Sequence, residues 1–119
     1  MILLILAKLV VGLGILNVWI LRASMASPWR GLDALNLKEE FTNYGLGLKL
    51  FYFVGAIKIS ASIGLIMSIW YPAFTELCSL ALIATLIGSV IMHIKVKDPI
   101  KKCLPAISLI LLLCVILME

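Results

Sequence analysis

The chain has 119 residues, enough for a single domain, of which 64% are hydrophobic and only 13% charged. An ordinary soluble domain has about 25% charged residues, so with a mean hydropathy of +1.21 this one has too little polar surface to coat a water-soluble globule. The net charge of +4 sits in segments next to apolar runs, and no nucleic-acid motif or aromatic–basic interleaving accompanies it, so nucleic acid is not an expected partner.

The first apolar run covers residues 2–21, about the 20 residues that a helix needs to cross a bilayer. No basic stretch precedes it, which argues against a cleavable signal peptide. Within it, Asn17 is expected to hydrogen-bond across helices, and Lys8 lies near its start. Residues 28–43 follow, opened by Ser27-Pro28, a cap with proline at the first helical position. Leu32, Leu35, Leu37 and Phe41 alternate there with Asp33, Lys38, Glu39 and Glu40. The pattern predicts a short amphipathic helix in the headgroup region, anchored by Trp19, Trp29 and Tyr44.

A second span is expected at 46–69, closed by Tyr71-Pro72, and a third at 73–92. Ala56, Ser60, Gly64 and Ser68 recur every four residues in the second, and Ala81, Thr85 and Ser89 in the third. Small residues at this spacing let backbones approach closely. They predict a tight hairpin between the two spans, with a homodimer through one stripe as the competing use. The fourth span, 104–118, is short for a hydrocarbon core about 30 Å thick, so it either sits where the bilayer thins or begins slightly earlier. The whole is an all-α transmembrane four-helix bundle with an interfacial helix between helices 1 and 2, and the lipid bilayer is its first partner.

Orientation follows from the connections. Arg22, Arg30 and Lys38 lie between the first two spans, and Lys95, Lys97, Lys101 and Lys102 between the last two. The turn between the middle spans has no basic residue. The positive-inside rule then places both basic segments in the cytoplasm and both termini outside.

Lys58 stands in the middle of the apolar run 51–69. A charge near the bilayer centre costs at least about 2.5–3.5 kcal/mol, so it calls for a partner or a purpose. Glu76 lies near the outer end of the third span, within reach of an extended lysine, and a Lys58–Glu76 ion pair is expected, with Lys8 as a competitor for the same carboxylate. Gly55 and Ser62 share the side of Lys58. The pair either fixes helix register or walls a polar pocket for an anionic or carbonyl headgroup or a quinone; a buried lysine also tends to lose its proton, which leaves a proton relay as a further role.

His93 ends the third span, Asp98 follows five residues later, and a hydrated interfacial cap is the simplest role for such a histidine. Cys78 and Cys114 lie in apolar runs and behave as small hydrophobes, while Cys103 stands beside Lys101 and Lys102, where a thiol can be activated. The spacing offers no metal-ligand set, catalytic triad, paired carboxylates or haem-type histidines, so no cofactor is expected. The ligand-binding candidates are Lys58, Glu76, His93, Asn17 and Ser62.

Gly55-Ala-Ile-Lys58-Ile, Gly64-Leu65, Pro72, the Glu76 region, Gly88, His93 with Asp98-Pro99, and Pro105 together resemble the DoxX-like family of small integral membrane proteins. The resemblance covers roughly residues 44–118. It departs from the common pattern at Ser89, where a small apolar residue is usual, and in the basic stretch Lys95-Val-Lys97. It implies a four-helix bundle in a bacterial cytoplasmic membrane. Some relatives are associated with thiosulfate–quinone oxidoreduction or membrane redox complexes, and distant eukaryotic ones with cargo reception or assembly. Since fold does not fix activity, two functions follow. The first is a non-enzymatic accessory or assembly component that binds a lipid-soluble ligand or a partner membrane protein. The alternative is a quinone-binding subunit of an oxidoreductase.

Overall fold

The computed structural model describes residues 2–118, and they are helical throughout, with short connections. Helix α1 spans Ile2–Leu16 and runs into a π-helical turn, Asn17–Leu21; α2 is Leu37–Asn43, α3 Leu48–Met67, α4 Thr75–Lys95 and α5 Leu104–Leu117. Four stretches are long and apolar enough to cross a membrane: Ile2–Leu21, Leu48–Met67, Pro72–Lys95 and Ile100–Leu117. In hydrocarbon every backbone N–H and C=O must find its partner inside the segment, so uninterrupted apolar runs of this length become helices.

The four long helices close into a ring in which α3 packs on α1 and α4, and α5 on α4 and α1. Val11, Ile15, Leu65, Leu82, Leu86, Leu113 and Ile116 fill the middle, while large apolar side chains such as Leu3, Phe53, Leu77 and Leu111 face outward. Outward-facing leucines are what a bilayer solvates. The longest axis measures 39 Å, a hydrocarbon core of about 30 Å plus part of the headgroup layers. The fourth span begins earlier than residue 104, the second of the two expectations: a 3-10 turn, Ile100–Cys103, precedes α5, and together they reach about 29 Å. Proline at the start of α5 suits this junction, since its missing N–H has no intrahelical partner there.

The structure corrects the expected packing faces. Ala56 and Ser60 are exposed; the buried face of α3 is Gly55, Lys58, Ala61, Ser62 and Leu65. A four-residue stripe rotates by about 40° per step around a helix of 3.6 residues per turn, so it leaves the contact face after two steps. Close approach survives at single points. A Cβ on Gly64 would press on Cys78 Sγ at 2.5 Å, and one on Gly12 on Ile66 at 2.6 Å.

The expected interfacial helix over 28–43 shrinks to α2. Its cap is Asn36, whose side chain accepts from Glu39 N–H at 2.7 Å, rather than Ser27, which closes a turn with Trp29 and Arg30. Arg30 is extended, and Leu32 (φ 50°) and Asp33 (φ 54°) are left-handed, a conformation that costs about 1–3 kcal/mol per residue and cannot continue a helix. Trp19 and Tyr44, expected at the headgroup level, are buried inside the bundle; Trp29 is exposed.

Candidate functional site

At the end of the bundle that carries the 22–36 loop, the ring of helices encloses a cavity of about 520 Å³, within the range of about 300–1,000 Å³ typical of small-molecule sites. Apolar residues from all four long helices form most of its wall, among them Ile15, Val54, Leu86 and Ala106. Lys58 and Ser89 supply polar groups at depth, and His93, Tyr44, Glu40, Arg30 and Lys102 near the loop.

The depth of the site is set by glycine and tryptophan. The π-helical turn inserts an extra residue into the last turn of the first span, and Asn17 C=O closes it by accepting from Arg22 N–H at 2.8 Å. Within that turn Trp19 points inward, stacked on Phe51 (centroids 5.5 Å) and edge-on to Phe41 (5.7 Å). Gly55 gives it room, since a Cβ there would lie 2.8 Å from the indole ring. One turn further along α3, Lys58 Nζ lies 5.6 Å from the Trp19 ring centroid and donates to Ser89 Oγ at 3.3 Å. Ser89 in turn donates to Thr85 C=O at 3.2 Å, leaving its lone pairs for the amine. Lys58 is only 7% exposed, and among the described residues no carboxylate lies within ion-pairing distance of it.

The expected Lys58–Glu76 pair does not form. Lys58 extends toward Ser89, which lies about 20 Å along α4 from Glu76. Glu76 is exposed in the first turn of α4, where a negative charge suits the helix dipole. Lys8 does not bind it either: its amine donates to Ser68 C=O (3.3 Å) and Thr75 Oγ1 (3.2 Å). Ser62 is fully buried, its hydroxyl unpartnered among the described residues and away from the cavity wall. Asn17 is half-buried and also stands outside the wall. Of the five candidates, the fold brings Lys58 and His93 to one cavity and leaves Glu76, Asn17 and Ser62 elsewhere.

His93 is not a hydrated cap. It is 5% exposed, with Nδ1 2.8 Å from Asp98 Oδ2 and the Tyr44 hydroxyl 3.4 Å from the ring nitrogens. Asp98 also accepts from Leu32 N–H at 3.1 Å and lies 3.8 Å from Lys102 Nζ. Lys102 donates to Arg30 C=O (2.8 Å) and Asp33 (2.9 Å), and Arg30 faces Glu40 at 4.0 Å. These contacts latch the left-handed Gly31–Asp33 turn to the end of α4 and the start of α5. Burial pushes the Asp98 carboxyl up, but the hydrogen bonds from His93 and Leu32 and the charge of Lys102 outweigh it and hold it below the usual carboxylate range. Burial, and then Glu40, push the Tyr44 phenol well above its ordinary value. Cys103 is buried rather than displayed beside the neighbouring lysines.

Sequence reading missed Trp19, Ser89, Arg30, Glu40, Tyr44 and Lys102 as parts of this site. Ser89 carried a signal in its place one turn before His93, which puts both on one face of α4; the others come together only through the path of the loop.

The family model described as DoxX-like matches residues 14–116. No curated protein and no solved structure matches the chain.

Proposed function

Since the chain belongs to the DoxX-like family and spans the membrane four times, we propose that it binds a lipid-soluble molecule in the cavity under its loop, with Lys58 donating to a carbonyl or anionic group of that molecule. One observation carries this reading. An amine in the middle of a spanning helix has a serine hydroxyl and an indole face for company, no carboxylate within ion-pairing distance among the described residues, and apolar space beside it. A buried cation without a counter-charge in contact with it is costly, and an acceptor supplied by a ligand would offset that cost.

The protein then acts as a binding or assembly component in a membrane, not as a catalyst. Arg22, Arg30, Lys38, Lys95, Lys97, Lys101 and Lys102 cluster in the loops at the cavity end, which by the positive-inside rule faces the cytoplasm of a bacterial cell, with both termini outside. A partner membrane protein that delivers or receives the molecule fits the same role.

A second reading, a quinone as the bound molecule, is favoured by one further feature. Asp98, His93 and Tyr44 form a hydrogen-bonded series from the loop to the cavity wall, a route by which a proton could meet a reduced carbonyl. Electrons would come from a partner.

The test is purification in a mild detergent, extraction, and mass spectrometry of what accompanies the protein, for wild type and Lys58→Leu. A discrete apolar compound present with the first and depleted from the second supports the proposal. Equal recovery from both removes Lys58 from any binding role. A redox-active compound that His93→Phe also depletes selects the quinone.

A further inference from the structure

Helices α3 and α4 are tight at the end near Pro72, where Gly64 admits Cys78 against the α3 backbone. Toward the loop Lys58 of α3 reaches Ser89 of α4 along the cavity wall. The α4 residues there are small, and no atom lies within 4 Å of where a Gly88 Cβ would be. Ala84, across the same stretch, is exposed and also lines the cavity. On α3, Phe53 (63% exposed) and Leu50 (39%) likewise belong both to the cavity wall and to the outer surface.

Residues that line a cavity and are exposed mark where it meets its surroundings. Here both helices are spanning segments, so what lies outside is hydrocarbon. The loop end, where Arg22 and Trp29 are the exposed wall residues, is tied down by Arg30–Glu40, His93–Asp98 and Lys102–Asp33. On the α1–α5 flank the wall is less exposed: Gly14, Pro105 and Leu109 are half-buried, and Val18 in the π-helical turn is 37% exposed, against 63% for Phe53.

We infer that the cavity opens sideways into the acyl-chain layer between α3 and α4, and that its occupant is an amphiphile drawn from the bilayer. Its chain lies in the gap beside Ala84 and Gly88, and its acceptor group lies against Lys58 and Ser89. The inference rests on the reading of the cavity as a binding site and narrows the ligand to molecules dissolved in lipid, not in water. It also gives the small residues of α4 a use: they keep a gap open where larger ones would close it.

Trp19 is the natural reporter, because its ring lines the cavity and is only 8% exposed. In a Trp29→Phe, Trp70→Phe background it is the sole tryptophan of the three in the chain. The protein is reconstituted into phosphatidylcholine vesicles whose acyl chains are brominated at mid-length. Bromine quenches on contact, so Trp19 emission should fall relative to unbrominated vesicles, while iodide in the water leaves it unchanged. Gly88→Leu and, separately, Ala84→Leu should restore the emission, with helical content by circular dichroism confirming that each variant folds; at both positions the added side chain has open space. Gly14→Leu, on the other flank, should leave the quenching in place. No quenching by bromolipid, quenching that survives closure of the α3–α4 gap in both variants, or quenching lost only with Gly14→Leu would each overturn the inference. Such a failure, alongside a Lys58-dependent compound that still accompanies the purified protein, would leave the binding site standing and remove only its route.

Discussion

The indole of Trp19 rests directly on the backbone of Gly55, and this contact decides where the Lys58 amine can lie. With the ring pressed onto α3, the amine one turn away meets the indole face at 5.6 Å and Ser89 at 3.3 Å. A side chain at position 55 would push the ring into the cavity. Gly55→Val should destabilise the protein by about 1–3 kcal/mol, as overpacking does, and shift Trp19 emission to the red in the single-tryptophan background. An unshifted spectrum would mean that the ring does not depend on this glycine.

Among the described residues Lys58 has no carboxylate within ion-pairing distance, which reverses the outcome expected of a buried pair. Removing one member of a pair strands the other and destabilises strongly; here nothing is stranded except a serine hydroxyl that already donates to Thr85. In the ligand-free protein Lys58→Leu should therefore raise stability, on the order of 1–3 kcal/mol. Thermal unfolding in detergent checks this. A lower melting temperature would point to a counter-charge close to the amine.

Glu76 is the complementary case. It is exposed and in no ion pair among the described residues, so Glu76→Gln should change stability by no more than about 0.5 kcal/mol, the range of ordinary surface substitutions. A large loss in the same unfolding assay would restore a structural partner to it.

Asp98 fastens the loop. Asp98→Asn keeps the shape but loses the charge that faces His93 and Lys102, and should cost about 1–3 kcal/mol. Its effect should be local: faster backbone hydrogen exchange over residues 30–34, with the spanning segments unchanged. Exchange that rises equally throughout would show that the latch supports the whole bundle.

The pH dependence follows from the same carboxylate. Its folded pKa lies below the usual 3.8, so it contributes stability that is fully present above that value and is lost as pH falls through the folded one. Cleavage by an acid-active protease, compared between wild type and Asp98→Asn, should show the wild-type loop protected at pH 5 and the difference vanishing as the carboxyl protonates.

Much of the fold was legible because the membrane imposes it. Runs of about 20 apolar residues become helices whatever their order of side chains, since hydrocarbon leaves the backbone no other partner. Residues 2–21, the two middle spans and their closure at Pro72 could be read directly, and Lys58 and His93 stood out because polar groups in such runs need a reason. The resemblance to the DoxX-like family, read from Gly55, Lys58 and His93 among others, agrees with the family model that matches residues 14–116. The 28–43 segment was not, because its helical pattern is overridden at Leu32 and Asp33 by hydrogen bonds from residues about 66 positions away.

Sequence alone thus determined the number of spans and that an amine is held within the second of them, since both depend on what hydrocarbon does to peptide and charge. Only the tertiary structure decided which way that amine points and what it meets. Helix rotation fixed the first: a four-residue repeat drifts off the contact face, and Trp19 and Gly55 set the register that does form. Antiparallel packing fixed the second, placing Ser89 beside Lys58 and Glu76 at the far end. A chain read along one dimension cannot rank such neighbours, because their separation depends on how helices turn about their own axes.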